Sequence, residues 1–230
     1  MKLKLLNTTL RNLVEAEKKA AKLFLEIESK GLLSAGKSEK EINLAIYDLA
    51  FKMYGIKKYW HKRLVRCGEN TLSPYNENPK DLILKNDDII FIDFGPIFDD
   101  WEADFGRTYV IGNDKNKIKL KKDIESAWHD GRNYFLEANH ITGAQLYFYV
   151  SNQLAIKYNW EFGGEIAGHI VGNYPHEKLD KEDKSNYIQP NNHENMLTND
   201  KNVTPKVCIL ELHFIDSKTK IGGFFEQLLA

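Results

Sequence analysis

A chain of 230 residues with 42% hydrophobic content is long enough for one sizeable core, and no Gly/Ser- or Pro-rich linker divides it, so one domain over residues 1–230 is expected. Thirty-two basic against thirty-three acidic side chains leave a net charge of -1, without the basic excess of a general nucleic-acid binder; small-molecule or peptide substrates fit better. No segment approaches the roughly 20 apolar residues of a membrane span, and MKLKLLNTTLRNLVEAEKK turns charged before a signal-peptide core develops, so no membrane partner is expected.

Apolar positions Leu10, Leu13, Val14, Ala20, Ala21, Phe24 and Ile27 recur at helical spacing from about Asn7 to Lys30, with Gly31 as a stop. Ser38 with Glu41 three residues later is a capping-box pattern, and Ile42, Ala45, Ile46, Leu49 and Met53 predict a second helix to about Gly55. Asp88 to Gly112 reads as a β-hairpin turning at Asp99 and Asp100. Helical spacing returns at Ile124, Ala127, Trp128, Phe135 and Ala138, and Thr142 with Gln145 offers another capped start before Leu146 to Tyr158. Asn173 to Lys206 is polar and weakly periodic, a long surface excursion. KVCILELHFID and IGGFFEQLL close the chain as two strands, which makes the pattern α+β. The cysteines, Cys67 and Cys208, have no CxxC spacing, so neither a disulfide framework nor a zinc ribbon is suggested and a reducing cytoplasm is the simplest compartment.

Acids inside strand-like runs carry the chemistry. With the hairpin turning at Asp99 and Asp100, Gly95 lies opposite Asp104, and Asp93 and Asp104 project from one face as a diagonal pair with Cβ atoms roughly 7 Å apart or less. Gly95 leaves the space between them open. Buried like charges demand protons or a counter-charge, which a divalent cation supplies; pairing with Arg107 is the plainer alternative for a single aspartate. Period two puts Ile209, Glu211 and His213 on one face of the penultimate strand, and Glu226 sits in FFEQLL between apolar neighbours. AGHIVGNYPHE adds His169, bracketed by glycines, and His176 seven residues later. Four acids and one histidine in separate β segments form an oxygen-rich set suited to two divalent ions.

The order Asp93, eleven residues to Asp104, the GHxxG histidine His169, then Glu211 and Glu226 resembles the pita-bread metallopeptidases, which include methionine aminopeptidase, Xaa-Pro aminopeptidase and prolidase. RCGENTLSPY, NDDIIFIDFG and DFGRTYVIG look closest to the prolidase and Xaa-Pro aminopeptidase branch, without the extra N-terminal domain of those enzymes. The resemblance implies an α+β pita-bread fold, an antiparallel sheet with helices packed on its outer face. It implies two divalent ions, Mn preferred with Co, Fe or Zn as alternatives, held by Asp93, Asp104, His169, Glu211 and Glu226. Asp104 and Glu226 would bridge, Glu211 would also shuttle a proton, and His176 would contact the substrate. A short peptide is the implied substrate, and a homodimer is implied by family analogy alone.

The chain also departs from the family. Tyr75 stands where relatives carry an active-site histidine, ELH replaces the common Glu-Pro, Gly106 lies inside D-x-x-R-T, and Phe224 occupies an arginine position. The HGIP-like motif of methionine aminopeptidases is missing. His61, Tyr75 and His213 are the candidate substrate contacts, although an exposed basic KKYWHKR segment is the simpler reading for His61. Two other functions stay open: hydrolysis of a small amide or amidine, as in creatinase-like relatives, and a metal-free binding module on the same scaffold.

Overall fold

The structure, a computed structural model, describes residues 2–174, 183–197 and 206–229, with side chains from residue 8 onward. Helix α1 (Lys2–Ser29) buries Leu13, Ala16, Ala20, Leu23, Phe24 and Ile27 along one stripe, the spacing that makes it amphipathic. Helix α2 (Glu39–Tyr54) starts in a complete capping box: the Glu41 backbone N–H donates to Ser38 Oγ at 3.2 Å and the Ser38 N–H donates to the Glu41 carboxylate at 2.8 Å. Both helices lie against Ile90, Ile92 and Phe94 of the sheet.

That sheet is antiparallel and seven-stranded. Along it run β1 (Leu64–Cys67), β2 (Asp88–Phe94), β5 (Phe105–Ile111), β9 (Ile221–Leu228), β8 (Val207–Asp216) and β6 (Glu161–Phe162), and β7 (Ile170–Val171) also pairs with β8. Between β2 and β5 the short pair β3 (Ile97–Phe98) and β4 (Trp101–Glu102) turns at Asp99 and Asp100, whose φ values of 50° and 65° are those of a type I′ hairpin. The pairings Asp93↔Gly106 and Ile97↔Glu102 give the register that the turn position predicts.

Helix α3 (Lys115–Glu137) covers the same side of the sheet near β8 and β9, with Trp128 fully buried and its Nε1–H donating to the Leu210 carbonyl at 2.8 Å. It begins nine residues before the first apolar position read from sequence, because Asp114 caps it by accepting from Asn116 and Lys117 N–H groups at 2.8 and 3.0 Å while its first turns are lysine-rich. The helix expected from Thr142 to Tyr158 is interrupted: α4 (Gly143–Phe148) and α5 (Ala155–Tyr158) flank a π-helical turn, Tyr149–Leu154.

The Asn173 to Lys206 stretch is not simply a surface excursion. Ile188 is fully buried, and after the 3-10 turn Lys184–Asn186 the chain bridges antiparallel to the glycine-rich loop at His169↔Tyr187, with Ala167 N–H donating to the Ile188 carbonyl at 2.7 Å and Ile188 N–H to the Gly168 carbonyl at 2.8 Å. One apolar side chain among polar neighbours carries no periodicity, so composition alone hides this anchor.

Candidate metal centre

The sheet face away from the helices carries the acids. One row crosses four strands, Asp93↔Gly106↔Glu226↔Glu211, so three of the predicted ligands share a single line of the ladder. Gly106 is the gap in that line: a side chain there would run into the Phe224 ring and the Glu226 Cβ. Asp104 lies two residues before Gly106 on the same face, and period two likewise keeps Glu211 and His213 on this face while Leu210, Leu212 and Phe214 enter the helix-side core.

His169 reaches the row from the loop before β7. Gly168 has φ of 139° and any Cβ there would collide with the Ile209 carbonyl, so the loop closes on β8 and directs His169 at Asp104, Nε2 to Oδ2 3.2 Å. Its Nδ1–H donates to the Ile170 carbonyl at 2.9 Å. A cavity of about 530 Å³ opens over Asp93, Asp104, His169, Glu211 and Glu226. His176 lies outside the described residues.

Two corrections concern the other candidates. His61 is not part of an exposed basic segment: its side chain is 9% exposed, and Nε2 lies 3.0 Å from Asp104 Oδ1 and 3.6 Å from Asp93 Oδ1. The gap that Gly95 leaves between the two aspartates is filled by this imidazole, since a Cβ on Gly95 would collide with the His61 ring. Arg107 does not pair with the aspartates. It lies between the Phe105 and Phe225 rings, 3.7 and 3.8 Å from their centroids, and donates to the Gly106 and Glu226 carbonyls at 2.7 Å each.

Tyr75 lines the cavity at its mouth, 45% exposed, with Lys62 Nζ 4.5 Å from its ring centroid. His213 lines the cavity more deeply, and its Nε2–H donates to the Thr71 carbonyl at 2.7 Å; burial lowers its pKa and keeps the ring neutral.

The electrostatics call for protons or a counter-charge. Burial raises the Asp93 carboxyl to about 7 even though His61 pulls it down. Glu211 is pushed up by burial, and Glu226 well above its ordinary value by burial and by the charges of Asp104, Asp93 and Glu211. Asp104 goes the other way: burial opposes it, but His61 and His169 on its two oxygens hold it far below the usual range.

Asp93 Oδ1 and Glu226 Oε2 are buried with no hydrogen-bond partner, which is costly unless something else meets them. Donor atoms of His61, Asp93 and Asp104 lie within 4.8 Å of one another, as do those of Asp104, His169 and Glu226. Carboxylate oxygens with imidazole nitrogens suit Mn, Fe, Co or Zn, so the residues present fit divalent ions.

Comparison with known proteins agrees with the fold and the chemistry. Residues 11–209 match the family model described as metallopeptidase family M24. A Xaa-Pro dipeptidase of Pyrococcus horikoshii is 26% identical over 178 residues, covering 71% of this chain and 47% of the relative. The chain spans less than half the length of the curated relatives it matches. Among solved structures, an X-Pro aminopeptidase of Thermotoga maritima superposes with a TM-score of 0.74 at 20% identity, covering 97% of this chain and 61% of that one. A methionine aminopeptidase from the same organism gives a TM-score of 0.70 at 14% identity, covering 96% and 92% of the two chains. The fold is therefore the α+β pita-bread architecture. No described helix is long and apolar enough to cross a membrane.

Proposed function

The chain belongs to metallopeptidase family M24, and from that premise we propose that it is a dinuclear metal-dependent aminopeptidase that cleaves the first peptide bond of short peptides, the Xaa-Pro class being the first to test. The observation that carries this reading is the convergence of Asp93, Asp104, His169, Glu211 and Glu226 in one cavity, two of whose buried carboxylate oxygens have no hydrogen-bond partner. Asp93, Asp104 and Glu226 would hold one ion and Asp104, His169, Glu211 and Glu226 the other, with Mn the first metal to test.

Divalent ions held there supply Lewis acidity to a scissile carbonyl and acidify water. The protein residues do the rest. Glu211 has a carboxyl raised by burial, the direction that favours taking a proton and returning it to a departing amine. His169 is fixed in orientation by its Nδ1–H bond to Ile170, so Nε2 faces the carboxylates. The Phe91 and Phe224 rings, 5.4 Å between centroids, make one wall of the lining apolar. Tyr75 at the mouth of the cavity would contact the substrate.

The test is hydrolysis of a dipeptide and tripeptide panel with Xaa-Pro and Met-Xaa members, in Mn2+ or Co2+ and in chelator. Metal-dependent release of a single N-terminal residue supports the reading. Efficient release of N-terminal methionine from non-proline peptides would change the substrate class. Two bound ions without peptide cleavage would favour a small C–N substrate, for which Tyr75 in place of a histidine is the supporting observation.

A further inference from the structure

We propose that His61 is a metal ligand: its Nε2 completes, with Asp93 and Asp104, the coordination of the first divalent ion. This rests on the dinuclear reading above and adds a nitrogen donor to a site otherwise read as carboxylate alone.

The backbone is built to bring this side chain in. Tyr59 pairs with Pro96 and Leu64 pairs with Asp93, so four residues, 60–63, stand against two, 94–95. A bulge of this kind re-aims a side chain that a regular strand would direct elsewhere. The bulge is anchored at both ends. Trp60 N–H donates to the Gly95 carbonyl at 3.0 Å and its Nε1–H to the Ala103 carbonyl at 3.1 Å. Arg63 exchanges hydrogen bonds with Asn43 of α2, at 3.0 Å to Oδ1 and 3.2 Å back to its own carbonyl, and its guanidinium stacks on Tyr47 and Tyr59.

The imidazole is oriented as metal-ligating histidines are. His61 Nδ1–H donates to the carbonyl of the following residue, Lys62, at 2.7 Å, and His169 does the same with Ile170 at 2.9 Å. Each ring then offers Nε2 to one oxygen of Asp104, His61 to Oδ1 at 3.0 Å and His169 to Oδ2 at 3.2 Å. The two histidines are thus the same device on the two sides of one bridging carboxylate, with the second-nitrogen bond that fixes tautomer and direction. At the floor of the cavity Nε2 is within 3.0 Å of Asp104 and 3.6 Å of Asp93, whose nearer oxygen is buried without a hydrogen-bond partner, so an ion there would be in reach of all three.

Protein with 15N-labelled histidine, wild type and His61→Gln, is titrated with Zn2+ while binding is measured by calorimetry and the imidazole nitrogens by NMR. The proposal expects two Zn2+ per chain, a coordination shift of the His61 Nε2 resonance, and in His61→Gln a loss in affinity for one ion of at least roughly 100-fold, beyond the cost of losing an outer partner, with the other unchanged. An unmoved His61 resonance at saturating Zn2+, or superimposable isotherms for the two proteins, overturns it while leaving the metallopeptidase reading intact. Failure of wild type to bind Zn2+, Mn2+ or Co2+ overturns both. If His61→Gln does not fold, the wild-type resonance, assigned through its coupling to the His61 backbone, decides.

Discussion

Glu211 and Glu226 stand directly opposite each other in the β8–β9 ladder, two carboxyl groups on one face of a buried row. Like charges so placed destabilise a sheet, and the arrangement persists because a cation or a proton can occupy the space between them. Glu226→Gln therefore has opposite effects with and without metal. Because its folded pKa is raised above the unfolded value, Glu226 contributes stability only at low pH and loses it as pH rises. At pH 8 in chelator the variant should be more stable than wild type, by about 1–4 kcal/mol. In Mn2+ at 100 times its Kd, wild type should gain about 2.7 kcal/mol for each ion bound and the variant much less. Thermal melts in the two buffers check this, and an equal Mn2+ shift in both proteins would count against Glu226 as a ligand.

Asp104 has a histidine on each carboxylate oxygen and is the group shared by both candidate donor sets. Replacing it with Asn keeps the volume and removes the charge. The expected result is a loss of at least about 10³-fold in kcat/KM on whichever peptide the wild type cleaves, equivalent to several kcal/mol of transition-state stabilisation. Far-UV circular dichroism should be unchanged. Retained peptide cleavage with lost metal would sink the metal-dependent mechanism, whereas a binding module would show no cleavage in wild type and unchanged partner binding in Asp104→Asn.

How far the sequence was readable depends on whether the signal is local. The Asp99–Asp100 turn fixed the hairpin register, and with it the facing of Asp93 and Asp104, because a two-residue loop leaves one way to pair the strands. Both capping boxes, Ser38 with Glu41 and Thr142 with Gln145, hold for the same reason. His61 was misjudged because KKYWHKR has the composition of a solvated segment; the bulge, the Gly95 gap and the Arg63–Asn43 hydrogen bonds that turn it inward depend on partners 20 to 43 residues away. Ile188 and β7 were missed because their partners, Gly168 and β8, are also remote and their own segments are too short to show a period. The clustering of Glu211 with Glu226 was visible only through the order of ligands along the chain.

Glu39 holds the segment that leads to Tyr75. Its buried carboxylate accepts from Cys67 N–H at 2.7 Å, from Asn70 Nδ2 at 3.0 and 2.9 Å on its two oxygens, and from Leu82 N–H at 3.4 Å. Glu39→Ala leaves the Cys67 N–H buried and unmet and leaves Asn70 Nδ2 only the Lys80 carbonyl at 2.8 Å, at a cost of about 3 kcal/mol. The 3-10 turn Gly68–Leu72 should loosen with it, and because Tyr75 follows that turn, KM should rise more than kcat falls. Urea melts and steady-state kinetics on one substrate measure both effects. Unchanged KM with lost stability would mean that Tyr75 is positioned independently.

Glu17 provides a pH dependence that lies apart from the metal centre. It sits on α1 with its carboxylate accepting the Leu228 backbone N–H, and burial raises its pKa from 4.5 to about 7 against the pull of that bond and of Arg107. A folded pKa above the unfolded one means that the native state holds the proton more tightly. The contribution to stability is thus complete below about pH 4.5 and is lost as pH rises through about 7, on the order of 3 kcal/mol in all. Glu17→Gln keeps an oxygen for Leu228 N–H and removes the titration. In chelator-free buffer with saturating Mn2+, which holds the metal-site carboxylates in one state, wild type should lose stability relative to Glu17→Gln between pH 5 and 8, with the two curves converging at the acid end. Chemical denaturation at each pH gives the difference directly. A constant offset across that range would show that the Glu17 carboxyl titrates at its ordinary value, and hence that the contact between α1 and the end of β9 is open to water.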